Sequence, residues 1–327
     1  MRRARRPRQT GAAILTAMLT VVLVATLASA TLWQQWRGIE IEAAERARTQ
    51  SSWVLAGALD WARLILREDA RKGGADHLAE PWAVPLAPAR LSTFLAADRS
   101  DVLAADEAQE AFLSGQIMDL QSRLNFFNLV QSGKIDEPSR LAFARLFKLL
   151  SLPEQELTRV AEQLRRAQAT GTEADEGRAA TPLPTALMPQ DLEQLAWVGL
   201  SAPSLAALRP FVTILPMRTP VNLNTAPAEV IYACAEKLSL ADAHALVTAR
   251  RMTHFALLQD AERVSGRAAS PFNEAQHSVA SQFFEIRGKL QLEQTTLQAQ
   301  SVVQRDGMEV RTLWQKRGVL PPTSPLQ

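Results

Sequence analysis

Apolar residues follow three different patterns along this chain, and each pattern predicts a different kind of element. The first is an unbroken apolar run, GAAILTAMLTVVLVATLASATL, from Gly11 to Leu32, with no charge between Arg8 and Arg37. As a helix rising 1.5 Å per residue, these 22 residues span roughly 30 Å, the thickness of a bilayer core. Trp33 and Trp36 follow where an interfacial aromatic belt would sit. The pattern then becomes amphipathic without a break. Between Gly38 and Lys72, Ile41, Ala44, Ala47, Trp53, Leu55, Leu59, Ala62 and Leu66 form a rough helical stripe with charges between them. One helix from Ala12 to Arg71 would be about 90 Å long, half in lipid and half on a soluble domain.

The second pattern is helical but broken. After a proline-rich loop, ADHLAEPWAVPLAP, the stretch GQIMDLQSRLNFFNLV (Gly115–Val130) reads as a strand, a turn and a short extended piece. Helical spacing runs from Asp136 to about Gln168, with Ser151 expected to cap a second helix at Pro153. Residues Ala169–Thr185 read as an exposed loop, and helices resume at Gln190. GLSAPSLAALRPF and KLSLADAHALVTA form a weak repeat, each a turn, a Leu-Ser cap and a short helix. Between them TPVNLNTAPAEVI predicts a β-like run into a helix, with Asn224 or Thr225 as N-cap and Pro227 in the first turn. The third pattern is strict alternation. SQFFEIRGKLQLEQ, TTLQAQSVVQR and MEVRTLWQKR predict an antiparallel sheet, with a hairpin turn at Asp306-Gly307.

Composition narrows the function classes. Of 36 basic residues, five are arginines in the first ten positions, which leaves 31 basic against 34 acidic residues in the rest. The leading arginines place the N-terminus in the cytoplasm and about 290 residues outside it. An acidic body opposes nucleic-acid binding. So does the segment after the Pro227 helix. A helix-hairpin-helix grips phosphate with backbone N–H groups in a glycine-rich hairpin, and no glycine occurs between Gly199 and Gly266. Cys234 is the only cysteine and reads as a small core residue, so an internal disulfide is excluded. His77, His244, His254 and His277 form no HExxH pair, and no nucleophile elbow or phosphate-cradling loop occurs. No catalytic residues are expected. Asp76, His77 and Glu80 are metal-ligand types at close spacing, but a surface loop with Trp82 tucked in is the simpler reading.

Two resemblances give these patterns a context. A basic leader ending at Gly11 before AAILTAMLTVVL resembles the class III signal of type IV pilins and pseudopilins. That resemblance implies cleavage between Gly11 and Ala12 by a prepilin peptidase and N-methylation of Ala12. An ordinary secretory signal, cut after Ala28-Ser29-Ala30, is the alternative. Most members of that family carry glutamate at the fifth mature position, where this chain has Thr16. An unpaired carboxylate in lipid is costly, so its loss points to a subunit with no neighbour ahead of it, at a tip. Further on, Ile117, Asp119, Arg123, Asn125, Asn128 and Leu129 resemble the Ile-x-Asp-x-x-x-Arg-x-Asn-x-x-Asn-Leu segment of the general secretion pathway protein K family, with Ser122 where that family usually has glycine. Asn222, Asn224, Thr225 and Pro227 in PVNLNTAPAEVI extend the match.

The resemblance implies an α+β, pilin-like fold: a long N-terminal transmembrane helix, an antiparallel sheet and a large inserted all-α domain of helix-hairpin-helix or SAM-like units. The expected divisions are a basic leader at 1–11, a transmembrane helix at 12–36, a periplasmic helix and first part of the pilin-like domain at 37–130, an insert at 131–275, C-terminal strands at 276–317 and a tail at 318–327. The implied function is that of a non-enzymatic minor pseudopilin at the tip of the type II secretion pseudopilus, initiating filament assembly and supporting export of folded proteins. The implied site is the bacterial inner membrane, single-pass, with the C-terminal bulk periplasmic. Minor pseudopilins I and J are the implied partners, with the major pseudopilin and the inner-membrane platform beyond them. No nucleic acid or small-molecule substrate is expected. Calcium is implied by resemblance only, with no ligands identified and no EF-hand-like loop in the sequence. The competing readings are a membrane-anchored DNA-uptake protein and a pilin-like adhesin.

Overall fold

The computed structural model describes residues 10–91, 111–175, 187–267, 270–292 and 295–318. The basic leader up to residue 9 and the tail from 319 lie outside these residues. Helix α1 (Thr10–Lys72) carries the long apolar run. The chain divides into two compact units, Met1–Val54 and Leu55–Gln327.

In the first unit the helix is hydrophobic all round and unburied from Ala12 to Trp36, and charged residues line it from Arg37 on. Ile14, Leu19, Val24, Leu32, Trp33 and Trp36 are all more than half exposed. Its hydroxyls bond back to the preceding turn, as for Thr20 to the Ala17 carbonyl at 2.8 Å and Thr26 to the Leu23 carbonyl at 2.9 Å. A helix with every backbone and hydroxyl group satisfied internally is the form a lipid environment requires.

The second unit is α+β, as the alternation in the C-terminal third predicts. Five antiparallel strands run in the order β1-β2-β9-β10-β11. They are β1 (Leu86–Arg90), β2 (Ala111–Asp119), β9 (Phe283–Leu292), β10 (Thr295–Asp306) and β11 (Glu309–Arg317). The β10–β11 hairpin turns at Gly307 and Met308, with Asp306 paired to Glu309. Gly307 has φ 53°, the left-handed conformation such a tight turn needs. The last turns of α1 pack on this sheet through Leu55, Leu59, Ala62 and Leu66, all at most 6 % exposed. These four belong to the predicted stripe, but Trp53 is exposed because, two residues from Leu55, it points to the opposite side of the helix, and Ile41 lies in the exposed stretch before it.

Between β2 and β9 the chain makes a long helical excursion. Asp119, the last residue of β2, is the cross-strand partner of Phe284. The excursion therefore leaves and re-enters the sheet at neighbouring points. Its helices are α2 (Glu137–Leu149), α3 (Glu154–Asp175), α4 (Ala202–Leu208), α5 (Ala228–Cys234), α6 (Leu240–Met252) and α7 (Leu258–Ser265). Short pairings tie it together: β3 (Leu124–Asn125) with β6 (Val212–Thr213), β4 (Val130–Gln131) with β5 (Lys134–Ile135), and β7 (Val221–Asn222) with β8 (His277–Ser278). The excursion has its own core, in which Phe143, Leu146 and Phe147 of α2 meet Leu164, Leu195, Val230 and Ile231.

Other details differ from expectation as well: the end of the proline-rich loop forms β1, and the last hairpin turns one residue later than Asp306-Gly307. Helix α3 continues to Asp175 rather than ending near Gln168, and residues 176–185 of the expected loop lie outside the described residues. Ser151 does not cap α3. It takes φ 55° in the turn leaving α2, and the helix begins at Glu154 behind Pro153.

Candidate functional site

The residues singled out by the Ile-x-Asp and PVNLNT segments converge on one buried polar joint, where β2 gives way to the helical excursion and the excursion returns to β9. Asp119 is its centre and is 5 % exposed. One carboxylate oxygen accepts hydrogen bonds from Thr225 Oγ1 (2.6 Å), Ser281 Oγ (2.6 Å) and Asn222 Nδ2 (3.1 Å). The other accepts from the Gln121 backbone at 2.7 Å. Burial pushes the carboxyl up to about 6, and these donors hold the value down.

Asn222 extends the joint. Its Nδ2 also reaches the Asp76 carbonyl at 3.1 Å and Ser281 Oγ at 2.9 Å. Its Oδ1 accepts from the Asn224 backbone at 2.9 Å. Gln121 clamps both sides, donating to the Pro220 carbonyl (3.1 Å) and accepting from the Gln282 backbone (2.6 Å).

The other motif residues hold adjacent backbone in the same manner. Asn128 exchanges two bonds with the Thr219 backbone, at 2.8 and 3.0 Å. Asn125 donates to the Met217 carbonyl (2.8 Å) and Thr219 Oγ1 (3.1 Å), and accepts from Leu215 N (3.1 Å). Asn224 exchanges two bonds with buried Phe255, at 2.9 and 2.8 Å. Ile117 pairs with Ile286 across β2 and β9. Arg123 lies close to Glu285, and burial lowers its pKa from the usual value. An asparagine amide has donor and acceptor on one short side chain, so it can mimic a backbone pair where no strand continues.

Asn224 and Thr225 are therefore not the N-cap of α5, as the sequence pattern predicts. Both side chains are committed to the joint. The helix starts at Ala228, with Pro227 in the cap position and no side-chain cap.

Asp76, Ser281, Arg305 and Thr219 complete the arrangement, and no sequence spacing joins them to Asp119. Ser281 N donates to Asp76 Oδ2 at 2.6 Å, and Arg305 donates to Asp76 Oδ1 at 2.5 Å. Trp82 is buried, as expected for the proline-rich loop, and meets Phe284 edge-on at 5.2 Å. His77 does not join the carboxylates. Its ring stacks on His254 of the excursion at 3.8 Å. Cys234 is buried and unpaired, with its thiol pushed up to about 12 by burial, so it behaves as a core residue.

The hairpin between α5 and α6 shows what has become of the helix-hairpin-helix. Arg145 turns its guanidinium on the hairpin's Glu236 and Leu238 carbonyls, the latter at 2.9 Å, and stacks on Tyr232 at 4.2 Å. The Leu238 N–H is used by the Ala235 carbonyl and the Ser239 N–H by Asp242. Two of the N–H donors a phosphate would need are thus occupied from within.

This joint is a scaffold: it fixes where a helical body sits on a pilin-like sheet. The profile of the family described as type II secretion system (T2SS), protein K matches residues 122–217 and, in a second part, 221–280, which meet at the joint. Both parts of the match support a minor pseudopilin of type II secretion. Type II secretion system protein K of Pseudomonas aeruginosa is 27% identical over 301 residues, covering 87% of this chain and 85% of that protein. The protein of the same name from Pectobacterium carotovorum subsp. carotovorum is 24% identical over 340 residues, covering 96% and 98%. Among solved structures, the crystal structure of the GspK-GspI-GspJ complex from the enterotoxigenic Escherichia coli type 2 secretion system contains a chain that superposes with a TM-score of 0.57 at 18% identity. The match covers 85% of this chain and 99% of that one. It shows that the two share a fold.

Proposed function

We propose that this chain is the tip subunit of the type II secretion pseudopilus, anchored by residues 12–36 in the bacterial inner membrane with its bulk in the periplasm. The observation that carries the reading is the helical excursion: residues 120–282 leave a five-stranded sheet that is itself far smaller. A body of that size is hard to repeat within a tightly wound shaft and easy to place at its end. Thr16 supports the same position. Its hydroxyl closes on the Ala12 and Ala13 carbonyls, both at 3.0 Å, and offers no charge to a neighbour.

In this reading prepilin peptidase cuts between Gly11 and Ala12, Ala12 is N-methylated, and the chain assembles with minor pseudopilins I and J to initiate the filament. The complex named in the Escherichia coli structure supports that partnership. The expected inserted domain at 131–275 falls within the excursion, whose core also takes in Leu124, Phe126, Leu129 and Val130 ahead of it. The role is structural and non-enzymatic, with Asp119, Asn125, Asn128, Asn222, Asn224 and Thr225 holding the joint. The occupied hairpin donors weigh against a DNA-uptake role.

Mass spectrometry of the mature N-terminus tests the proposal. Methylated Ala12 is expected, and a chain starting at Thr31 would replace the reading with an ordinary secreted protein.

A further inference from the structure

Among the described residues, one group of three carboxylates brings ligand oxygens within 4.8 Å of one another: Asp69, Asp76 and Glu80. Asp69 ends the buried part of α1, and the other two lie in the loop that follows. Calcium, implied by family resemblance, takes six to eight oxygens at 2.3–2.6 Å. The triad does not fit it, because four of its six oxygens face donors already in place, among them a fixed guanidinium. Asp76 accepts from Ser281 N (2.6 Å) and Arg305 Nη2 (2.5 Å). Asp69 accepts from Arg305 Nη1 at 2.8 Å. Glu80 accepts from Trp82 Nε1 (2.7 Å) and His77 N (2.9 Å).

Arg305 is itself held from every side. Its side chain is 9 % exposed, Nη2 also donates to the Ser281 carbonyl (2.8 Å), its backbone N–H donates to the Gln282 carbonyl, and its guanidinium lies 4.8 Å from the Phe284 ring centre. A divalent ion entering here would meet a fixed positive charge within a few ångströms, in surroundings of low dielectric where that repulsion is severe.

We infer that Arg305 is the resident cation of this triad, a guanidinium that does permanently what a bound divalent ion would do. It ties the end of α1, the loop at Asp76 and the returning excursion at Ser281 to β10 without any metal. Two carboxylates and one guanidinium leave a surplus negative charge, and Glu80 adjusts to it: burial pushes its carboxyl up to about 7, so it carries a proton for part of the time near neutrality. Removing the guanidinium leaves three clustered carboxylates with no cation, which is the composition of a hard-metal site.

The test uses the full chain in detergent micelles, with terbium(III) as probe. Trp82 touches Glu80, so an ion held by the triad has its emission sensitised by that indole. Native chain and W82F are expected to give equal emission, because the triad takes no ion. R305M is expected to gain emission that W82F abolishes and excess calcium competes away. Trp82-dependent emission from the native chain overturns the inference, as does a folded R305M that stays dark. If R305M folds only with added metal, rescue by millimolar calcium supports the inference. An R305M chain that calcium cannot restore overturns it.

Discussion

A single carboxylate decides how the two halves of the soluble unit meet. Asp119 binds side chains from the PVNLNT segment and from the end of the excursion, residues separated from it by more than 100 positions. Its folded value of about 6 lies above the ordinary 3.8, so the native state holds this proton more tightly than the unfolded chain does. The stability it contributes is fully present below pH 3.8 and is lost as pH rises through about 6. Asp119→Asn keeps the shape and removes the titration. In urea unfolding, its stability relative to the native chain is expected to improve by up to a few kcal/mol between pH 4 and pH 7. A difference that stays flat with pH would show that Asp119 does not titrate in this range. The importance of Asp119, Asn125, Asn128 and Asn222 was legible in the sequence only through the family resemblance they carry. What they bind was not, because Asp76, Ser281 and Arg305 come from segments that only the folded topology brings together.

Elements that obey local rules were read more fully. The Leu-Ser repeat predicts two capped helices, and both are there: Ser201 accepts from Ser204 N and Ser239 from Asp242 N. Ser239 forms a complete capping box with Asp242, and α6 follows it without a break. Ser239→Ala should lower stability by about 1 kcal/mol in denaturant unfolding, with no change in the oligomers formed. A loss near zero would mean that packing alone sets this helix start. The cap predicted at Asn224 or Thr225 failed for an instructive reason. Both residues are good caps, but a buried carboxylate and the buried Phe255 backbone compete for them, and an unpaired donor in the interior costs more than an uncapped helix end. Similarly, the amphipathic stripe of α1 holds at Leu55, Leu59, Ala62 and Leu66 but not at Trp53, which falls on the opposite side of the helix, since apolar character alone does not fix which face is covered.

At the scale of the whole soluble unit, the deciding fact is that Asp119 and Phe284 are neighbours in the sheet. Residues 120–282 are thus removable on paper with a short turn. The sheet would not be indifferent, since Leu120 and Leu215 cover Phe283 and Val302. The excised chain is expected to keep the β-sheet signature in circular dichroism, to melt at lower temperature and to bind a hydrophobic dye. Complete loss of sheet signal would show that the excursion is needed to form the sheet. The same adjacency has a mechanical meaning. A pull or push passed from residues 55–72 into the sheet travels along α1 and across the strand ladders. The excursion meets that path at one end only, at its two neighbouring covalent attachments and at the joint, where Arg305 and Asp76 bind Ser281 to the last turns of α1 and to β10. It is a lamp bracketed to a beam: load reaches it through the bracket, and the joint is the place where strain in the beam would first be felt by the helical body.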